Sequence, residues 1–130
     1  MGNYPDRKTS CLIGRWSSKV SSQYTHLPRP QDSGNHEDVT EVTLTNKEGK
    51  GIRVTAIDRP FSFSALYYTV DDIYKATHDC DLKPRKEIIL SLDAAVLGLG
   101  NSSCGPGVLK KYAIDKQKPH TLRVRFSLIK

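Results

Sequence analysis

The stretch Val39–Ala56, VTEVTLTNKEGKGIRVTA, decides the fold class. Thr40, Val42 and Leu44 alternate with Glu41, Thr43 and Thr45, the period-two pattern of a strand with one face turned to a core. Asn46-Lys-Glu-Gly-Lys-Gly51 then supplies turn residues, and Ile52, Val54 and Ala56 resume the alternation. Two short alternating runs on either side of a glycine-containing turn predict a β-hairpin.

The same pattern continues on the C-terminal side. Phe61, Phe63, Ala65 and Tyr67 alternate with Ser62, Ser64 and Leu66, so a further strand with an aromatic core face is expected. Thr69-Val-Asp-Asp72 follows, close to a capping box with Asp in place of Glu or Gln, and predicts one short helix over Val70–Ala76. Lys86–Asp93, KEIILSLD, reads as a strand that is nearly all apolar at its centre. Leu109–Ile114 reads as a short strand. Leu122, Val124, Phe126 and Leu128, alternating with Arg123, Arg125 and Ser127, give the cleanest strand of the chain.

Toward the N-terminus the pattern fades. Residues 1–36 read as an irregular segment with one short strand over Cys11–Trp16 and a loop at Pro28–Asn35, and residues 37–130 as the β-sandwich core. Six or seven strands with one short helix indicate a single all-β domain, an antiparallel β-sandwich.

Composition narrows the function classes. The chain has 130 residues, enough for one core, and 37% apolar residues. No run approaches a membrane-spanning length, so no membrane partner is expected, and MGNYPDRKTS lacks the apolar region of a signal peptide. The compartment is left open. The net charge of +6 comes from Lys and Arg spread along the chain, without a basic stripe or interleaved aromatics. This reads as solvated surface charge, and no nucleic-acid partner is expected. Cys11, Cys80 and Cys104 match neither a zinc signature nor a disulfide framework, and the four histidines are isolated from them. No metal site is expected.

Gly98–Val108, GLGNSSCGPGV, holds four glycines and a proline and can be neither helix nor central strand. It is a shaped loop, and its polar tip makes Asn101, Ser102, Ser103 and Cys104 the candidate binding residues. No catalytic residue emerges. Asp71-Asp72 falls in the first helical turn, where negative charge is favoured for structural reasons. Asp93, closing a buried-looking strand just before the loop, is the more interesting carboxylate, and a strand-end residue bonding nearby backbone amides is the alternative reading. Cys104 has no basic neighbour nearer than Lys110 to activate a thiolate.

Asn3-Tyr-Pro-Asp-Arg-Lys8, Pro30-Gln-Asp-Ser-Gly-Asn35, Arg59–Thr69, His78-Asp-Cys-Asp-Leu82 and Leu92-Asp93 through GLGNSSCGPGV, in that order, resemble the C-terminal end of the β-galactosidases of glycoside hydrolase family 2. The resemblance covers essentially the whole chain. It implies the C-terminal half of a galactose-mutarotase-like β-supersandwich. It further implies that the glycine-rich loop reaches the sugar subsite of a catalytic barrel in the same chain, with the β-galactoside and that barrel as partners. Some members carry a tryptophan near the position of Cys104; others carry Cys-Gly-Pro, as here. Asp32 stands where members often have Glu, and Thr40-Glu41 where they often have Arg-Trp.

The two carboxylates of such retaining enzymes belong to the barrel, so the resemblance assigns no catalytic residue and no cofactor to this chain. The magnesium and sodium ions that full-length members often use lie elsewhere. The alternative function is a stand-alone carbohydrate-binding or assembly module without hydrolysis.

Overall fold

A computed structural model describes residues 14–97 and 105–130. Among these residues, six strands form two three-stranded antiparallel sheets. They are β1 (His36–Val39), β2 (Glu41–Thr45), β3 (Gly51–Ala56), β4 (Phe61–Leu66), β5 (Ile89–Asp93) and β6 (Val124–Ile129). One sheet has the order β1-β4-β5 and the other β2-β3-β6. The fold is all-β, as the alternation predicts, with one short helix among the described residues, α1, at Val70–Lys75.

The decisive hairpin pairs β2 with β3 in unbroken register from Glu41 opposite Thr55 to Thr45 opposite Gly51. Its turn is closed by Gly49 N donating to Asn46 O at 3.1 Å, with Gly49 at a φ of +83°. Asn46 Oδ1 also accepts from Glu48 N at 2.9 Å and Lys50 N at 3.0 Å, an Asx arrangement that fixes the loop. A single residue, Thr40, separates β1 from β2, so the chain passes directly from one sheet to the other. The crossing is marked by a register shift in β1 and by Asp38 at a φ of +55°, a conformation that aspartate tolerates better than most residues.

The main core lies between the sheets. Val42 and Val54 of one sheet and Phe61 of the other are buried together, with Phe63, Leu90 and Leu92 packed around them. Strand β4 departs from the one-faced expectation: Phe61 and Ala65 are buried on one face, Ser62 and Leu66 on the other. The reason is a second cluster, in which Tyr24 and Ile73 cover Leu66 from outside the sandwich.

Helix α1 forms where the Thr-x-x-Asp signal places it. Thr69 N donates to Asp72 Oδ2 at 2.8 Å, and Asp72 N donates to Thr69 Oγ1 at 3.1 Å, a complete capping box. Asp71 pairs with Lys75 at 2.7 Å one turn on. Arg85 clamps the Asp72 carboxylate through Nε at 2.6 Å and Nη2 at 2.8 Å. These Arg85 bonds first, then those from Thr69, hold the Asp72 carboxyl well below the usual carboxylate range.

A lowered folded-state pKa has a definite sign. Its stabilisation is fully present above the unfolded aspartate value of about 3.9 and is lost as pH falls through the folded value. Asp72→Asn is therefore expected to be less stable than the parent near neutral pH, with the gap closing as the solution is acidified below about pH 4. Denaturant midpoints measured across that range check it. A gap independent of pH would mean that the charge of Asp72 is not what stabilises the cap.

Three expectations need correction. Residues 14–16 contain no strand, and Cys11–Ile13 lie outside the described residues. Leu109–Ile114 is not a strand either: Lys110–Tyr112 forms a 3-10 turn, closed by Ala113 N donating to Lys110 O at 3.2 Å. The adjacent Lys110 and Lys111 interrupt the alternation that a strand needs, and none of the described strands pairs with this run. Strand β5 starts at Ile89 rather than Lys86, because its partner β4 ends at Leu66, opposite Ile89.

Candidate functional site

Strand β5 is the outer strand of one sheet and β6 the outer strand of the other. The connection over residues 94–123 therefore runs from one layer to the other, and its only regular element among the described residues is the 3-10 turn. Connections longer than about 12–15 residues without regular structure are uncommon in compact domains and are usually either functional loops or linkers. Residues 94–97 and 105–109 have no regular structure, and Gly105, Pro106 and Gly107 are exposed. The candidate residues Asn101, Ser102, Ser103 and Cys104 lie outside the described residues.

The frame that launches this connection is described. Asp93 ends β5 opposite Ser62, and Ser64 lies opposite Ser91, so serines and a carboxylate share one face of the β4–β5 ladder. Burial, and secondarily the negative charge of Asp32, push the Asp93 carboxyl above its ordinary value. Asp72 is engaged in the helix cap and Asp71 in the ion pair with Lys75, both described above. Among the described residues, no group of three or more His, Cys, Asp or Glu is placed to hold a metal ion.

One arrangement escaped the sequence reading. Tyr24, His26, Tyr67 and Tyr68 line a common cleft, and His26 Nδ1 donates to the Asp79 carboxylate at 2.9 and 3.0 Å. His26 reads as isolated because its partner is 53 positions away, and no spacing rule links them. The only local hint is the alternation of Tyr24 and His26 in a segment otherwise rich in turn residues.

Two antiparallel layers, bridged at one side by a direct strand crossing and at the other by a long glycine-rich connection, define a β-sandwich domain. Residues 1–128 match the family described as beta galactosidase small chain. The chain belongs to that family. It is 33% identical over 116 residues to the beta-galactosidase of Kluyveromyces lactis, a match covering 88% of this chain and 11% of that protein. It is 30% identical over 128 residues to the beta-galactosidase of an Arthrobacter species, covering 95% of this chain and 13% of that one. Beta-galactosidase BgaC of Bifidobacterium adolescentis is 33% identical over 128 residues, with 96% of this chain and 12% of that protein covered. The chain thus spans about a tenth to an eighth of the length of these relatives.

Proposed function

We propose that this domain works as the C-terminal half of a β-supersandwich in a β-galactosidase that hydrolyses terminal β-D-galactosides. On this reading it supplies scaffold and carries the Gly98–Val108 loop toward the sugar subsite. The acid/base and nucleophile carboxylates of the retaining reaction come from a barrel outside this chain. Metal ions used by the whole enzyme are likewise assigned to other parts.

One observation carries the reading beyond the family match. Val54 and Phe126 are opposite one another in the β3–β6 ladder, as are Ile52 and Leu128, so all four share the core-facing side of their sheet. Val54 is 1% exposed, yet Phe126 is 60% and Leu128 80% exposed. The other sheet covers only part of this face. An apolar surface of this kind is left uncovered when a sandwich continues into further structure.

The loop assignment has its own test. In the full-length enzyme, Cys104→Trp should strengthen binding of the sugar beyond the galactose by about 1 kcal/mol, because an indole offers a stacking face that a thiol lacks. Cys104→Ala should leave that affinity unchanged. Equal acceptor-sugar affinities in the parent and both variants would reduce the loop to a connection.

A further inference from the structure

The outer edge of β6 pairs with no described strand, and the phase of its ladder fixes which main-chain groups are left there. Ile57 N donates to Arg123 O at 3.1 Å, one step beyond the pairing of Ala56 with Val124. Hydrogen-bonded and non-hydrogen-bonded pairs alternate along an antiparallel ladder. Arg125, Ser127 and Ile129 therefore turn their N–H and C=O groups to Thr55, Arg53 and Gly51, while Val124, Phe126 and Leu128 turn theirs away from β3. The other side of β3 agrees. Ala56 N donates to Thr40 O at 2.8 Å, so Ala56, Val54 and Ile52 are turned to β2.

At Phe126 and Leu128 the open main chain coincides with largely exposed apolar side chains. The outer edge of β2 is different. There the outward main-chain groups belong to Glu41, Thr43 and Thr45, whose side chains are polar and exposed. An edge of that kind suits water, whereas an unpaired apolar edge is a template for another strand.

Charge selects the strand. No Asp or Glu follows Asp115, whereas Arg123, Arg125 and Lys130 lie on or beside β6. Arg123 is clamped by the Asp58 carboxylate through Nε and Nη2. Arg125 stands opposite Thr55 and forms no ion pair among the described residues. A second copy of β6 would bring further cations and no carboxylate to this edge, which disfavours self-pairing.

We propose that the β6 edge is completed by one antiparallel strand from the remainder of the β-galactosidase chain. Along its own direction that strand reads apolar, polar, apolar, acidic, opposite Leu128, Ser127, Phe126 and Arg125. Opposed residues share a face, so its two apolar side chains cover Phe126 and Leu128 while its main chain bonds their open N–H and C=O groups. The carboxylate meets Arg125 at a non-hydrogen-bonded position, where side chains of an antiparallel pair come closest. This pairing rests on the function proposed above and gives it a partner and a register.

The test is hydrogen exchange at single-amide resolution, on this chain alone and on its graft in place of the matching segment of Bifidobacterium adolescentis BgaC. In the free chain the amides of Arg125, Ser127 and Ile129 should exchange slowly and those of Val124, Phe126 and Leu128 fast. In the graft the fast set should slow by roughly tenfold or more. Leu128→Pro removes an N–H that β3 does not use, and edge strands accept proline where the N–H faces out. The free variant should therefore stay folded, while the slowing at Val124 and Phe126 in the graft is lost. Arg125→Glu should reduce that slowing as well. Fast exchange at these amides in a graft that hydrolyses a nitrophenyl β-galactoside would overturn the pairing and leave the proposed function standing. A graft without hydrolysis would defeat the proposed function and the pairing with it. Unfolding of the free chain by Leu128→Pro would contradict the outward phase assigned to Leu128. Slowing in the free chain that grows with its concentration would make a second copy the occupant, and would equally overturn the proposal.

Discussion

Phe61→Ala is expected to abolish most of the stability of the domain. Phe61 is 2% exposed and sits where the two sheets meet, against Val42 and Val54. Removing its ring deletes the largest fully buried side chain among the described residues and leaves a cavity that strands of both sheets would have to close. Such truncations cost about 3–5 kcal/mol, a large share of the net stability of a small domain. Phe126→Ala is the matched control, because Phe126 faces the same side of its sheet as Val54 but is largely exposed. It should cost much less, on the order of 1 kcal/mol or below. Urea unfolding of the two variants compares them directly, and equal losses would mean that the core is not centred on Phe61.

Gly51→Ala is the second large effect. A Cβ on Gly51 would lie 1.9 Å from Leu44 O and 2.8 Å from Leu44 C and Thr45 Cα, all main-chain atoms of the paired strand. No rotamer change can relieve that clash, so β2 and β3 must separate where their register begins. A loss of about 3 kcal/mol or more is expected, at the upper end of overpacking costs. Gly49→Ala separates this from ordinary turn strain. Gly49 has a φ of +83° and open space where the methyl would sit, so only its left-handed backbone is penalised, by about 1–2 kcal/mol. Thermal midpoints should fall clearly further for Gly51→Ala than for Gly49→Ala. The reverse order would place the strain in the turn and not in the strand pairing.

How much of this was legible in the sequence follows from how local each signal is. The β2–β3 hairpin and helix α1 were readable because alternation, an Asn-initiated turn and a Thr-x-x-Asp cap act within a few residues. Ends set by a partner were not, as with β5, which begins where β4 stops. Leu109–Ile114 failed because a run this short, interrupted by Lys110 and Lys111, carries too little alternation to separate a strand from a turn. The alternation in β6 correctly marked one face as apolar, but it could not tell that Phe126 and Leu128 extend past the opposing sheet. For the site, glycine and proline spacing marks Gly98–Val108 as a loop in the sequence, residues 98–104 lie outside the described residues, and the sugar-binding role proposed for the loop rests on family resemblance. The tyrosine-lined cleft was hidden because residues near 20–26, 67–68 and 79–84 meet only once the chain is folded.

The central claim is that this domain serves a β-galactosidase only when joined to the remainder of such an enzyme. Its most direct test replaces the matching segment of Bifidobacterium adolescentis BgaC, 33% identical over 128 residues, with this chain and measures hydrolysis of a nitrophenyl β-galactoside. The account predicts that the graft hydrolyses the substrate, while BgaC lacking the segment and this chain alone do not. A graft no more active than the deletion, or hydrolysis by this chain alone, would contradict it.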